Sequence, residues 1–211
     1  MIAKRLFLIR HGETNYNIEG IVQGRQIDSE LNSEGIKQRD LLCKRFEQEA
    51  IDHIYITSLK RTFQTMEPLI NKGFEFSREP DLDELNFGNI EGKLIFDEHG
   101  NSILKETLTA WQKGELNLSF PGGESPLDAL RRVQRGFDVI MSKTHEKQVI
   151  ICLHQRILRI VMCHLLNKPL TEMDRFPHHN TGVTTVDYYS DTYRYKLIGQ
   201  DSVKHLNSFL Y

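Results

Sequence analysis

The chain of 211 residues is poor in several features that would each mark a class of protein. Its three cysteines, Cys43, Cys152 and Cys163, are odd in number and scattered, which argues against a disulfide framework. Two of them sit in apolar runs, Ile150-Ile151-Cys152-Leu153 and Ile160-Val161-Met162-Cys163. Buried free thiols and a reducing cytoplasm are therefore expected. No stretch approaches the roughly 18 apolar residues of a membrane helix. The run Leu6 to Ile9 is cut short by Arg10, too early for a signal peptide. The formal charge of −2 lacks the basic excess of a nucleic-acid-binding surface. No nucleic acid and no membrane is expected as a partner, and any affinity for anions has to be local. There is no repeat, low-complexity tract or linker, and no G-x-G-x-x-G loop. One domain spanning residues 1–211 follows.

What is present is strands alternating with helices. Leu6-Phe7-Leu8-Ile9 is wholly apolar and reads as a buried parallel strand. Asn32 or Ser33 caps a helix to about Ala50, with Ile36, Leu42, Cys43, Phe46 and Ala50 on one face. His53 to Thr57 reads as a strand, and Ser58 opens a helix to about Ile70, closed by Asn71-Lys72-Gly73. Phe74 to Gly100 is irregular, and a helix is expected from about Ser102 to Lys113. Ser125 caps a further helix bearing Leu127, Leu130, Val133, Phe137 and Ile140 at helical spacing. Val149 to Leu153 is a second all-apolar strand, followed by a largely buried helix that Pro169 closes. Thr181 to Tyr189 and Tyr193 to Ile198 form a hairpin about Ser190-Asp191. The fold class is α/β: a three-layer α/β/α sandwich, with a mostly parallel central sheet and an antiparallel edge strand.

Two strands end alike, Leu8-Ile9-Arg10-His11 and Cys152-Leu153-His154, and sites in open α/β sheets gather at the carboxyl ends of strands. A neutral imidazole is a competent nucleophile. A phosphoryl group in transfer spreads charge over three oxygens and needs cations or N–H donors around it. Arg10 adjoins His11, and Arg61 lies near the start of the helix after the second strand. Guanidinium forks suit phosphate oxygens. The leaving oxygen needs a proton and the attacking water must lose one, which a carboxyl group can do in turn. Glu84 is a candidate, but the residues alone do not choose it over Asp83, Glu91 or Glu13. His178-His179 cannot act as a bidentate metal pair if they lie on a strand, since neighbours point apart, so they are read as structural or rim residues. His53 and His145 are expected at the surface. Trp111 with Leu108 is expected in the core or as a pocket lid, and Gly12 and Gly24 fit turn and close-approach roles.

Five ordered motifs resemble the histidine phosphatase superfamily, in its phosphoglycerate mutase-like branch. They are Arg10-His11-Gly12-Glu13-Thr14 with Asn17; Gln23-Gly24 with Asp28 and Leu31-Asn32; Ser58 to Thr65 around Arg61; Leu82-Asp83-Glu84 with Phe87-Gly88 and Glu91-Gly92; and Phe120 to Ser125. His154 and Asn180-Thr181 complete the order. The resemblance implies roles at the matching positions. His11 would be the phosphorylated nucleophile. Arg10, Arg61 and His154 would hold the phosphoryl oxygens, with Asn17, Gln23, Gly24 and the backbone N–H of Gln155 around the substrate. Glu84 would be the general acid and then the base for water. It implies no metal and no organic cofactor, and a small phosphorylated metabolite as substrate.

One departure stands out. The family usually has a small residue after the second histidine, whereas this chain has Gln155 and Arg156. A cation near a helix start is unfavourable for the dipole, so an anion is expected beside Arg156. The pair is expected to narrow the pocket or grip a second acidic group of the substrate. The leading expectation is a phosphomonoester hydrolase acting through phosphohistidine. A cofactor-dependent phosphoglycerate mutase is the alternative; it would need a longer insert before Phe120 and a more enclosed site. An inactive phospho-ligand binding protein is the second alternative.

Overall fold

Along the first strand, successive side chains must face opposite sides of the sheet, and both sides are apolar. In β1 (Ile2–Arg10), Leu6 and Leu8 enter one core while Phe7 and Ile9 enter another. A strand that is apolar on both faces has to be covered twice, and it is. The computed structural model of the protein describes residues 1–207. Within them a single six-stranded sheet runs in the order β3-β2-β4-β1-β5-β6. Its other strands are β2 (His53–Ile56), β3 (Phe76–Arg78), β4 (Gln148–Leu153), β5 (Val183–Tyr189) and β6 (Arg194–Ser202).

The first four positions of that order pair in parallel, and β5 and β6 add in antiparallel fashion at the far side. One face carries α2 (Ser33–Phe46) and α3 (Lys60–Ile70), sealed by Leu42, Phe46, Met66 and Leu69. The other carries α5 (Pro126–Ser142) and α6 (Gln155–Leu165), sealed by Val133, Phe137, Ile157 and Val161. A short α1 (Asn15–Ile18) and α4 (Lys105–Gln112) lie above the strand ends and beside this second core. The three-layer sandwich is thus as expected.

Boundaries differ in instructive places. α2 ends at Phe46, short of Ala50, and Ile36 is 41% exposed. The reason is Gly35, where an added Cβ would come within 2.1 Å of the Glu13 carbonyl oxygen. That approach turns the Gly35 side of the helix inward, so the next residue looks outward. α3 begins at Lys60, because Leu59 is its N-cap. α4 begins at Lys105, since Ser102 bridges to Phe96 instead. β5 begins at Val183, because Thr181 has φ of 55° and cannot extend a strand. His53 is half-buried, its Nε2 2.9 Å from Ser77 Oγ across the β2–β3 pair. His145 is exposed as expected. Trp111 is core: it is 1% exposed and donates its indole N–H to the Leu118 carbonyl at 2.8 Å. All three cysteines are free and buried.

Candidate active site

Register brings the two histidines together. Arg10 of β1 lies opposite Leu153 of β4, so the next residue of each strand, His11 and His154, leaves the sheet at the same level. Their ring centroids are 5.3 Å apart. β2 flanks β4 on its other side with Ile56 opposite Cys152, which places Thr57 beside the same strand end.

His11 is held in a defined protonation form. Its Nδ1 is 2.7 Å from the Gly12 carbonyl, which can only accept, so Nδ1 bears the hydrogen and Nε2 keeps its lone pair. Burial first, then the Arg61 and Arg10 charges, push its pKa well below the usual 6.5. The imidazole is therefore neutral at physiological pH, as a nucleophile must be. The loop beyond it is tied from several elements. Asn180 Nδ2 donates to the His11 carbonyl at 2.9 Å, and the Gly12 amide donates to Thr65 Oγ1 at 2.9 Å. Thr14 and Asn17 form a reciprocal capping box on α1.

Arg61 is wholly buried at the floor. It donates from Nε to His154 Nδ1 at 3.1 Å, from Nη1 to the Ile27 carbonyl at 2.7 Å and from Nη2 to the Gly24 carbonyl at 3.3 Å. Arg10 donates from Nη1 to the His178 carbonyl at 3.0 Å, and its buried Nε has no partner among the described residues. Burial lowers both guanidinium pKa values to about 10, which leaves them charged at neutral pH. His154 is wholly buried and its pKa is likewise pushed well below 6.5, chiefly by burial and then by Arg61.

Of the four carboxylates left open by the residues alone, Glu84 and Glu13 line the cavity described below. Glu84 accepts the amides of Arg156 and Ile157, each at 3.1 Å, and so sits on the N-terminus of α6 immediately after His154. An anion is favoured there by the helix dipole and its spare N–H groups. Asp83 instead caps Ser58 at 2.8 Å and pairs with Arg25, and Glu91 accepts the Gln26 and Phe87 amides at 2.9 Å each. Glu13 accepts from Asn32 at 3.0 Å, although it too lines the cavity.

A cavity of about 370 Å³ opens over these groups, and Arg10, His11, Asn17, Gln23, Glu84 and Gln155 line it. Tyr16, Phe87, Ile95 and Leu104 form its apolar side. Arg61 and His154 are absent from that lining and lie just beneath the floor. Gly24 does not line it either. Its part is to hold Arg61 by its carbonyl and to leave room for Glu91, whose Oε1 would lie 2.2 Å from an added Cβ. The anion expected beside Arg156 is the protein's own Asp174, 2.6 Å from Nη1 and shared with Arg159. The Arg156 guanidinium also lies over the Trp111 ring, 5.7 Å from its centroid. His178 is buried, while His179 is exposed and bonds Asp201 at 2.6 Å, so the two do point apart.

Two supports were not legible beforehand. Thr57 contacts His154 Nε2 at 2.9 Å from beneath. Arg132 of α5, only 4% exposed, clasps the acid-bearing segment. It donates to the Asp83 carbonyl at 2.6 Å, to the Glu84 carbonyl at 3.1 Å and twice to Glu124. Nothing distinguishes it in sequence from its neighbour Arg131, which is exposed; only the helical phase relative to the segment Asp81–Glu84 does.

Fold and site define a three-layer α/β protein whose parallel strand ends hold a pocket lined by Arg10, His11 and Glu84, with Arg61 and His154 beneath its floor. Residues 6–201 match the profile of the histidine phosphatase superfamily, branch 1. The chain is 30% identical over 189 residues to the Yersinia pestis protein named "Probable phosphoglycerate mutase GpmB", covering 87% of this chain and 85% of that one. It is 28% identical over 183 residues to phosphoserine phosphatase 1 of Hydrogenobacter thermophilus, covering 86% and 85%. Among solved structures, phosphoserine phosphatase of Entamoeba histolytica, crystallised with 3-phosphoglyceric acid, superposes with a TM-score of 0.81 at 26% identity over 96% of this chain and 99% of that one. The chain belongs to the histidine phosphatase superfamily.

Proposed function

We propose that this protein hydrolyses phosphomonoesters of small metabolites through a phosphohistidine at His11. The observation that carries the reading is the His11 ring: its Nδ1–H is spent on the Gly12 carbonyl and Nε2 keeps its lone pair, beside two buried guanidiniums. Nε2 attacks phosphorus, and the ester P–O bond breaks. Glu84, whose seat on α6 favours the anion, first takes a proton from the cavity solvent and then gives it to the departing oxygen. Water then attacks phosphorus, Glu84 takes up a proton from it, the P–N bond breaks with its electron pair returning to His11 Nε2, and inorganic phosphate leaves. Arg10, Arg61, Asn17 and the first amide of α6, that of Gln155, surround the equatorial oxygens and balance their charge. Gln155 is exposed at the cavity wall and narrows it from that side.

Relatives carrying phosphatase names support hydrolysis, and one carrying a mutase name keeps isomerisation as the second reading. The test incubates the protein with 3-phosphoglycerate and a trace of bisphosphoglycerate in excess chelator. Release of inorganic phosphate is the expected result. Accumulation of the isomer with no phosphate released would establish the mutase instead, and loss of turnover that Mg²⁺ restores would contradict both. Three free, buried cysteines support a reducing, cytoplasmic setting. Among the described residues, no helix is long and apolar enough to cross a membrane.

A further inference from the structure

Arg156 stands where the family usually has a small residue, and its backbone and side chain serve different parts of the pocket. Its amide seats Glu84. Its guanidinium turns to helix α4 instead. Nη1 donates to Asp174 Oδ1 at 2.6 Å, and the group lies over the Trp111 ring, 5.7 Å from the centroid, within the range of a cation–π contact. Asp174, in the turn Leu170–Arg175, reaches the same helix, for its Oδ2 accepts from Gln112 Nε2 at 3.1 Å. Trp111 and Gln112 are the last two residues of α4. The C-terminal end of α4 is thus fastened to the second residue of α6, the one whose amide holds the acid.

The other end of α4 is at the cavity. Leu104 is the N-cap of that helix and lines the cavity wall with Ile95. A helix of eight residues is a rod about 12 Å long, so holding its far end holds the wall. The fastening depends on one carboxylate. Arg156 and Arg159 lie three residues apart on α6, where like charges repel, and Asp174 Oδ1 accepts from Nη1 of both. A cation in the first turn of a helix also opposes the dipole. Without the Asp174 charge both effects drive the Arg156 guanidinium off Trp111, and without its carboxylate Gln112 loses its acceptor.

We propose that Asp174 is a positioning residue for substrate choice: through Arg156, Trp111 and Gln112 it holds α4 against the start of α6 and so keeps Leu104 in the cavity wall. This rests on the phosphatase reading above. The Arg156 side chain is then a tie within the protein, one that the small residue usual at this position could not make.

Trp111 is the only tryptophan of the chain, so its fluorescence reads the tie directly. The test compares wild type, Asp174→Ala, Asp174→Asn and Asp174→Glu by acrylamide quenching of Trp111 and by hydrolysis of 1-naphthyl phosphate and p-nitrophenyl phosphate. Asp174→Ala and Asp174→Asn should each raise quenching about twofold, as for a helix that has lost a tie. They should change the ratio of the two KM values about threefold, with kcat for p-nitrophenyl phosphate within about twofold of wild type, as for an altered pocket wall. Asp174→Glu, which keeps the charge, recovers both. Asp174→Asn, nearly equal in size, decides the matter if Asp174→Ala does not fold. Adding Asp174→Ala to Leu104→Ala should move the KM ratio no further, since both act through one side chain. Unchanged quenching, an unchanged KM ratio, or effects of the two substitutions that multiply each overturn the proposal and leave the phosphatase reading standing. So does a fall in kcat with both KM values intact, since Asp174 would then act on Glu84. A wild type that releases no phosphate from either ester overturns the phosphatase reading, and this proposal with it.

Discussion

The floor and the roof of the cavity are built differently. The floor is three adjacent strand ends, those of β1, β4 and β2, whose register is set by parallel ladders buried on both faces. Its polar groups bond mainly to one another and to backbone, and Arg61, His154 and Thr57 are wholly buried. The roof, from Gly88 to Phe120, has one α-helix of eight residues, a 3-10 turn at Gly88–Ile90 and a small bridged turn, and it leaves Leu94 and Phe96 each 58% exposed. A floor held by backbone ladders can keep catalytic atoms in place to within a fraction of an ångström. A roof with few such ties can vary in sequence and shape without disturbing them. Under the proposed function the floor carries the chemistry, and the roof, which brings Ile95 and Leu104 to the cavity, is expected to set the choice of substrate.

His11→Ala is the most severe way to test that division. It removes the nucleophile and should reduce p-nitrophenyl phosphate turnover by at least ~10⁴-fold, in line with losses seen when a catalytic nucleophile is deleted. Residual turnover within tenfold of wild type would place the chemistry elsewhere. Arg132→Ala comes next. It leaves the half-buried Glu124 carboxylate with the Asn86 amide and unties the Glu84 segment, so unfolding in urea should show a loss of about 1–3 kcal/mol. The same variant should lower kcat, because Glu84 is no longer held over the phosphoryl site. A stability loss with kcat intact would show that α6 alone positions the acid.

The pH profile sharpens the floor side of the comparison. His11 must be neutral to attack, and burial with two guanidiniums lowers its pKa. Activity is lost as pH falls through that lowered value, so the acid limb of kcat/KM should lie well below pH 6.5. A limb centred at or above 6.5 would mean that His11 is more solvated than the structure has it. The smallest effect is expected in the roof. Leu104→Ala, on the cavity wall, should change stability by only about 1 kcal/mol, while altering KM several-fold for some phosphomonoesters in a panel and leaving others alone. A uniform fall in kcat across the panel would join the roof to the chemistry and dissolve the distinction.

Much of the floor was legible in advance, because its residues are forced into recognisable patterns. An apolar run that ends abruptly in Arg10-His11, repeated in kind at Leu153-His154, announces two buried strands delivering polar groups to one edge. Glu84 was legible only through its family motif; against Asp83, Glu91 and Glu13 the residues themselves were neutral. Those carboxylates differ in which backbone amides they meet, and that depends on α6 and on the loop of Gln26 reaching them from distant parts of the chain. Arg156 shows the same limit. Its place at a helix start called for an anion, but that the anion is Asp174 follows from the turn of residues 170–175 folding back over α6.

By itself, then, the amino-acid order determined the layered α/β architecture and brought His11 and His154 to the ends of neighbouring strands. Periodicity and strand-end chemistry are local, and each is written in a few consecutive residues. Tertiary structure alone decided which ring nitrogen of His11 is free, which carboxylates line the cavity, and that Thr57 and Arg132 bond to His154 and to the Glu84 segment. Proton placement and charge balance in a buried pocket are set by whichever donors and acceptors lie within about 3 Å. In this protein those neighbours are separated in sequence by as many as 169 residues.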